Sequence, residues 1–243
     1  MIFREQNFGR ILIPYGFSVY FIVQVEIFRF VENENTLQYI KAIKHELLLN
    51  VNDIVAVGTE SFYATNDLYF TNGILKFVEP FLSLPWCDVV YYSPQTLQVV
   101  AGGFLIANGI KISPDKRHLY VSNIMKHKIS VTNPVHELPI SLTLVDVGSV
   151  CDNIEVDHES GDLWLSCHPN GLKFMLSDPN DPPGSEVRYK SIIPCSPVAQ
   201  GDSGRLYADD GSVIVASSVA TQYGGKLLIG TVYQKALICD LKL

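Results

Sequence analysis

Apolar and polar residues alternate along most of the chain, and three stretches repeat the same alternation. The copies begin at Asn52-Asp53-Ile54, Asn108-Gly109-Ile110 and Asp152-Asn153-Ile154. In each copy, two polar or small residues precede apolar residues at every second position, and a turn and another apolar strand follow. A period of two is typical of β-strands with one buried face. The repeat therefore predicts an all-β fold built from similar units.

The second and third copies align closely, as NGIKISPDKRHLYV and DNIEVDHESGDLWL. Ile110 matches Ile154, and Leu119 matches Leu163. A β-rich repeat of roughly 40–50 residues is typical of propeller blades. Equivalent strand starts from different blades meet around the central channel of a propeller. Because each copy carries Asn or Asp at the start of its first strand, the pattern predicts a ring of oxygen ligands there.

Two stretches leave the type of element open. Thr36–Leu49 fits either a helix or a strand, and Ile74–Leu84 fits either a short helix or a surface loop. The apolar residues of Leu172–Leu176 and Val213–Val215 predict two further strands. Gly224-Gly225 predicts a hairpin turn between strands near the carboxyl terminus.

Residues 1–25 form a divergent segment of what we expect to be one domain over residues 1–243. Ile11–Val25 is mostly apolar after a polar start, which fits either a signal peptide or core strands broken at Pro14-Tyr15-Gly16. No small-residue cleavage site follows, and Glu26–Phe30 continues the alternation, so the pattern favours strands. The apolar run is too short and too interrupted to span a bilayer.

Composition narrows the function classes. Apolar residues make up 47% of the 243 residues, which is enough for a large core, and the formal net charge is -7. No block of lysines or arginines is present, which excludes a nucleic-acid surface. The five cysteines include no CxxC pair, so zinc is unsupported. Cys87, Cys151 and Cys167 lie among apolar strand residues and are predicted to be buried thiols.

Several longer motifs are distinctive: FYATND (62–67), ANGIKISPD (107–115), DNIEVD (152–157), GDLWLSCHPNG (161–171), PPGSEV (182–187) and GKLLIGTVYQKALICDL (225–241). Together they resemble one known family, the paraoxonases, also called serum arylesterases and lactonases. The resemblance extends from about residue 26 to the end. It implies a six-bladed β-propeller, here incomplete at its amino-terminal blade, and calcium-dependent hydrolysis of aryl esters, lactones and some organophosphates.

The resemblance also implies a set of metal ligands. Asn66, Asn108, Asp152 and Asn153 would hold a catalytic calcium, and Asp67 would face a second, structural calcium. Calcium takes six to eight oxygen ligands, and amide and carboxylate oxygens suit it. A site with few carboxylates keeps residual positive charge, which can polarise an ester carbonyl or a phosphoryl oxygen.

The chain departs from the family's pattern in its first residues. The family's first-blade Glu-Asp pair has no match before residue 26, so we expect each calcium to lack one acidic ligand. Of the family's two channel histidines, one is replaced by Tyr15 and the other is missing. His168, in an HPNG motif, is the candidate catalytic residue, and a structural role in the turn is equally open. Cys239 resembles the family's carboxyl-terminal disulfide cysteine, but without its partner we expect a free thiol.

Two functions follow from these observations. The first is a calcium-dependent hydrolase of small aryl esters and lactones, extracellular and able to associate with a lipoprotein or membrane surface as its family implies. The second is a catalytically inactive, truncated or spliced propeller that acts at most as a binding module. Calcium binding together with calcium-dependent turnover would distinguish the two.

Overall fold

A computed structural model describes residues 2–8, 22–133, 143–176, 178–191, 203–232 and 234–241. The chain divides into two compact units, one that ends at Ile110 and one that begins at Lys111. Pro14-Tyr15-Gly16 lies outside the described residues, as do most of Ile11–Val25 and Cys195. The single domain expected from the sequence stays a prediction.

The first unit contains two antiparallel sheets in which the strands follow chain order. The first sheet consists of β1 (Ile2–Phe8), β2 (Ile22–Val31) and β3 (Thr36–Ile43). The second consists of β4 (Val51–Ala56), β5 (Phe62–Asn66), β6 (Cys87–Ser93) and β7 (Thr96–Phe104). The helix α1 (Gly73–Leu82) lies between β5 and β6. Val25, Ile27, Phe62, Ala64 and Val90 are in the core of this unit.

The second unit contains the other sheets. One consists of β8 (Ala107–Ile112), which begins in the first unit, β9 (Leu119–Asn123), β10 (Lys128–Thr132) and β11 (Thr143–Asp146). Another consists of β12 (Val150–Val156), β13 (Leu163–His168), β14 (Ser185–Lys190) and β15 (Ser203–Asp209). The last consists of β16 (Ser217–Tyr223), β17 (Lys226–Thr231) and β18 (Leu237–Asp240). The helix α2 (Gly171–Leu176) follows β13.

The predicted all-β fold is confirmed. Each sheet in the described part of the chain has three or four strands in up-and-down order, which is how a propeller blade is built. The aligned repeat positions occupy equivalent places, since Ile110 and Ile154 lie in the first strands β8 and β12, and Leu119 and Leu163 lie in the second strands β9 and β13. Five such sheets are described, so the full count of six blades stays a prediction.

The open alternatives are decided by local hydrogen bonds. Thr36–Leu49 contains a strand, β3, which pairs with β2. Ile74–Leu84 is largely helical: the Asn72 side chain accepts from the Ile74 N–H at 3.0 Å and caps α1, and Ser83 ends the helix with φ 50°. Gly224-Gly225 forms the predicted turn, with φ 56° and 74°.

Two predicted strands are wrong. Leu172–Leu176 forms part of α2, because the Asn170 side chain accepts from the Lys173 N–H at 3.1 Å and caps a short helix. Val213–Val215 lies between β15 and β16, outside any strand. Ile214 is nevertheless fully buried in an apolar cluster. Val215 is buried too, whereas Val213 is 43% exposed, so the apolar run indicated burial for two of its three residues and the wrong backbone for all of them.

The cysteine prediction needs a larger correction. Cys151 and Cys167 are not thiols: they form a disulfide between β12 and β13. Cys87 is a free, buried cysteine as predicted, and Cys239 is free and half-buried. The free Cys239 agrees with the expectation from the sequence, whereas the Cys151–Cys167 disulfide was not predicted. The two bonded residues lie directly opposite each other on neighbouring strands, a relation that only the register of the sheet reveals.

We expect the second unit to lose stability when a side chain in its core is shortened. Leu165 is fully buried on β13, so we expect Leu165→Ala to lower the free energy of unfolding by about 2–5 kcal/mol in urea titrations. Leu144→Ala is the matched control, because Leu144 is 41% exposed on β11; its effect should be within about 0.5 kcal/mol. Equal effects of both variants would contradict the described burial.

Candidate functional site

Asp152 and Asn153 lie in a β-bulge of β12. Cys151 pairs with Cys167 and Ile154 pairs with Leu165, so Asp152 and Asn153 both lie opposite the single residue Ser166. A bulge of this kind breaks the alternation of side chains and re-aims them. Two consecutive predicted ligands are therefore presented by an irregularity in the strand, beside the neighbouring strand β13.

His168, at the end of β13, lies next to this bulge. Its Nε2 is 4.0 Å from the Asp152 Oδ2, and the imidazole stacks on Phe174 of α2 with ring centroids 3.9 Å apart. Both ring nitrogens are buried and without a hydrogen-bond partner among the described residues. Burial lowers the pKa of His168 to about 4, so the ring is neutral at pH 7 and has one donor and one acceptor nitrogen.

Asn153 is oriented by the next sheet of the same unit. Its Nδ2 donates to the Ser218 carbonyl oxygen at 3.0 Å and to the Ser218 Oγ at 3.1 Å. These two bonds use the amide nitrogen and leave the amide oxygen out of the contact. An amide oxygen held in this way is a suitable ligand for a hard cation. Ser218 has no counterpart in the sequence repeat and was not predicted as a site residue.

In the first unit, Asn66 has a structural role that the sequence did not predict. Its Oδ1 accepts from the backbone N–H groups of Leu49 and Asn50 at 3.0 and 3.1 Å, and its Nδ2 donates to the Leu47 carbonyl and to Asp88 Oδ1. Both lone pairs of the amide oxygen are therefore used. Asn66 fixes the segment that leads into β4, and its part in a metal site stays a prediction.

Asp67 is a half-buried carboxylate whose surroundings include the positive Lys76 and the negative Glu79. Its Oδ2 accepts from the Asn52 Nδ2 at 3.2 Å, and its own N–H donates to the Asn50 carbonyl. Burial is the main cause that raises the pKa of Asp67 to about 6, and the Glu79 carboxylate raises it further. A cation beside the carboxylate would reverse this shift.

Asn108, at the start of β8, has a buried amide oxygen with no hydrogen-bond partner among the described residues. Its backbone is fixed from both sides: the Thr65 Oγ1 donates to the Asn108 carbonyl at 2.7 Å, and the Ile110 N–H donates to the Asp53 Oδ2 at 2.8 Å. A buried hydrogen-bond acceptor without a partner lowers the stability of the folded state. Binding of a ligand to the Asn108 amide oxygen is therefore favoured. Asp53 and Thr65 are positioning residues that the sequence did not reveal, although Asp53 lies in the first repeat copy.

The structure brings Asp152 and His168 within 4.0 Å of each other in the second unit, with Asn153 next to Asp152 in the bulge. It places Asn66, Asp67 and Asn108 in the first unit. Within the described ranges, no three side chains of His, Cys, Asp or Glu are grouped so that they could hold a metal ion. The predicted ligand set depends on asparagine, whose neutral oxygen is a weaker ligand than a carboxylate.

Comparison with known proteins identifies the family. The family model named Arylesterase matches residues 20–241. The chain belongs to the arylesterase family. It is 49% identical over 219 residues to serum paraoxonase/arylesterase 2 of Rattus norvegicus and 48% identical to serum paraoxonase/arylesterase 1 of Homo sapiens. Each match covers 89% of this chain but 61% of the relative, so the chain spans less than two thirds of these curated proteins.

A solved structure supports the fold alone. A crystal structure of a protein from Lactobacillus plantarum aligns with a TM-score of 0.50 at 10% identity, covering 93% of this chain and 64% of that one. In the ranges that the structure describes, no helix is long and apolar enough to cross a bilayer.

The raised pKa of Asp67 predicts a pH dependence of stability. The folded-state pKa is about 6 against an ordinary value of 3.8, so between these values the folded chain binds more protons than the unfolded chain. In the presence of a metal chelator, stability should therefore fall as pH rises from about 4 to 6 and stay lower above pH 6. Asp67→Asn should remove the unfavourable contribution of the ionised carboxylate and so raise the free energy of unfolding at pH 7 by about 1–3 kcal/mol.

Urea titrations at pH 4.5 and pH 7 measure this effect. Asp181→Asn, which changes an exposed carboxylate of the second unit, is the control and should leave the pH dependence in place. If Asp67→Asn were no more stable than the parent chain at pH 7, the Asp67 carboxylate would not carry the burial penalty described above.

Proposed function

We propose that this protein is a calcium-dependent hydrolase of aryl esters and lactones. Family membership supports it, since the relatives are named paraoxonase/arylesterase. The observation that carries the proposal is the bulge of β12, which presents Asp152 and Asn153 in succession and brings the Asp152 carboxylate to 4.0 Å from the neutral His168 imidazole.

The donor set fits calcium in chemical type. Within the second unit, the donors are the Asp152 carboxylate and the Asn153 amide oxygen. Within the first unit, they are the Asn108 Oδ1, which has no hydrogen-bond partner among the described residues, and the half-buried Asp67 carboxylate. All are oxygen atoms, and nitrogen or sulfur ligands, which zinc and copper favour, are not part of the set. Asn66 fits less well, because its oxygen would have to give up a backbone N–H to accept a cation.

Bound calcium would supply a Lewis acid that polarises the carbonyl or phosphoryl oxygen of the substrate. The chain's own residues would do the rest. Asn153 is held by Ser218 and Asp152 lies beside His168, so both can keep a fixed orientation. The neutral His168 ring has one N–H to donate to a substrate oxygen. Phe174 covers this ring, so α2 would have to shift for a substrate to reach it.

A lipid surface is the proposed partner. Ile74, Phe77 and Phe81 on α1 are 77%, 76% and 63% exposed, and their spacing places them on one side of the helix. A short amphipathic helix that exposes aromatic side chains can insert its apolar face at the level of lipid headgroups. The word serum in the names of the relatives supports a secreted protein.

Removing one charge at the bulge tests the catalytic proposal. We expect Asp152→Asn to keep the fold. Its calcium affinity, measured by titration calorimetry, and its rate of phenyl acetate hydrolysis should each fall at least about tenfold. The parallel change Asp146→Asn, on the exposed strand β11, should alter neither quantity.

Three outcomes separate the candidate functions. Calcium binding with calcium-dependent turnover supports the hydrolase. Unchanged turnover in Asp152→Asn at unchanged calcium demand would remove Asp152 from the site. A folded parent chain that neither binds calcium nor turns over ester would favour the alternative, a catalytically inactive propeller that acts as a binding module.

The lipid proposal has its own test. Phe77→Ser with Phe81→Ser should reduce the fraction of protein that sediments with phosphatidylcholine vesicles at least about tenfold, because each buried Phe contributes roughly 1.5–3 kcal/mol. Ile238→Ser is the control: Ile238 is 66% exposed on β18, and its replacement should leave sedimentation unchanged. Equal binding by all three proteins would rule out α1 as the contact.

A further inference from the structure

The disulfide between Cys151 and Cys167 lies at the edge of the bulge that presents the candidate site. The two cysteines are directly opposite each other on β12 and β13, and the bulge begins with the next residue of β12. Asp152 follows Cys151 and His168 follows Cys167 in the chain. The crosslink therefore ties together the two backbone positions that immediately precede the facing side chains.

Hydrogen bonds from other strands hold each end of the crosslink. The Ser122 Oγ donates to the Cys151 carbonyl, and the Ser217 Oγ donates to the Cys167 carbonyl at 3.1 Å. The cysteine side chains are 1% and 0% exposed and pack in an apolar cluster. The hydrogen-bonded carbonyls and the apolar cluster hold the surroundings of the crosslink in place. We therefore expect the backbone to move in the bulge when the crosslink is cleaved, because the hydrogen bonds between β12 and β13 are already interrupted there.

We propose that Cys151–Cys167 is a redox-controlled clamp that holds Asp152 and Asn153 in position beside His168. A disulfide holds its two sulfurs at bonding distance, whereas two thiol sulfurs need the wider separation of non-bonded atoms. Reduction therefore pushes apart or rotates the two residues that precede Asp152 and His168. The bulge loosens, and the oxidised chain is the form in which the site is organised.

The redox step is a thiol–disulfide exchange with a dithiol reductant. One thiolate of the reductant attacks a cysteine sulfur, breaks the Cys151–Cys167 bond and releases the other cysteine as a thiolate, which takes up a proton. The second thiolate of the reductant then displaces the remaining cysteine from the mixed disulfide. Two electrons and two protons pass to the chain, and the reductant becomes a cyclic disulfide. Because both sulfurs are buried, the attack needs local opening of the sheet.

Peptide mapping tests whether the crosslink exists. The purified chain is unfolded by a denaturant in the presence of an alkylating agent and without reductant. A protease that cleaves after glutamate then cuts the chain at Glu155 and Glu159, between the two cysteines. We expect a crosslinked peptide pair that contains Cys151 and Cys167 and disappears on reduction, while Cys87 and Cys239 are alkylated. Alkylation of Cys151 and Cys167 in the unreduced chain would overturn the proposal.

Amide hydrogen exchange tests the clamp without reference to hydrolysis. Reduction by a small dithiol should speed exchange in the peptide that contains Asp152 and Asn153 at least about tenfold, with the peptides of β17 unchanged. Cys151→Ser should reproduce the faster exchange without reductant. Cys239→Ser should exchange like the parent chain, since Cys239 is outside the pair. Equal exchange in the reduced and oxidised chains would overturn the clamp, and this readout applies even if Cys151→Ser folds poorly.

The effect on catalysis rests on the proposed function, so it is measured separately. In the same samples, reduction should weaken calcium binding and slow phenyl acetate hydrolysis at least about tenfold, and reoxidation should restore both. If exchange in the bulge changes while no calcium binds in either state, the clamp stands and the proposed function fails. If calcium binds equally well before and after reduction, the clamp does not govern the site.

Discussion

The pairing of β12 with β13 is the constraint on which the candidate site depends. Two residues of β12 face one residue of β13, and this mismatch directs Asp152 and Asn153 out of the regular alternation. The core of the unit requires Ile154 and Leu165 to stay buried on one face, so the register on either side of the bulge is fixed. The packing of the core therefore determines where the acid and the amide can lie.

Buried polar groups impose a second constraint, and two asparagines of the first unit meet it differently. Asn66 has partners for every polar atom of its side chain and so acts as a structural residue. Asn108 keeps an orphaned amide oxygen although its backbone is fixed by Thr65. Two asparagines that were both predicted to be calcium ligands thus differ in their contacts, because among the described residues the amide oxygen of Asn66 is hydrogen-bonded and that of Asn108 is not.

The sequence predicted what depends on local periodicity. The alternation around Ile110 and Ile154 identified the strands and the sheet type, since a period of two has one common structural meaning. It failed at Leu172–Leu176, where a capping asparagine begins a helix too short to show its own period. The disulfide of Cys151 with Cys167, the bonds of Asn66 and the contact of Ser218 depend on register between distant segments, and a single sequence does not show that register.

The same burial that makes the site chemically useful also makes it costly to fold. Asp152 is a buried carboxylate and Asp67 a half-buried one, and moving a negative charge out of water opposes folding. A cation that binds only the folded chain would relieve this cost and would add its binding free energy to stability. Cation binding and folding would then be one coupled equilibrium in each unit.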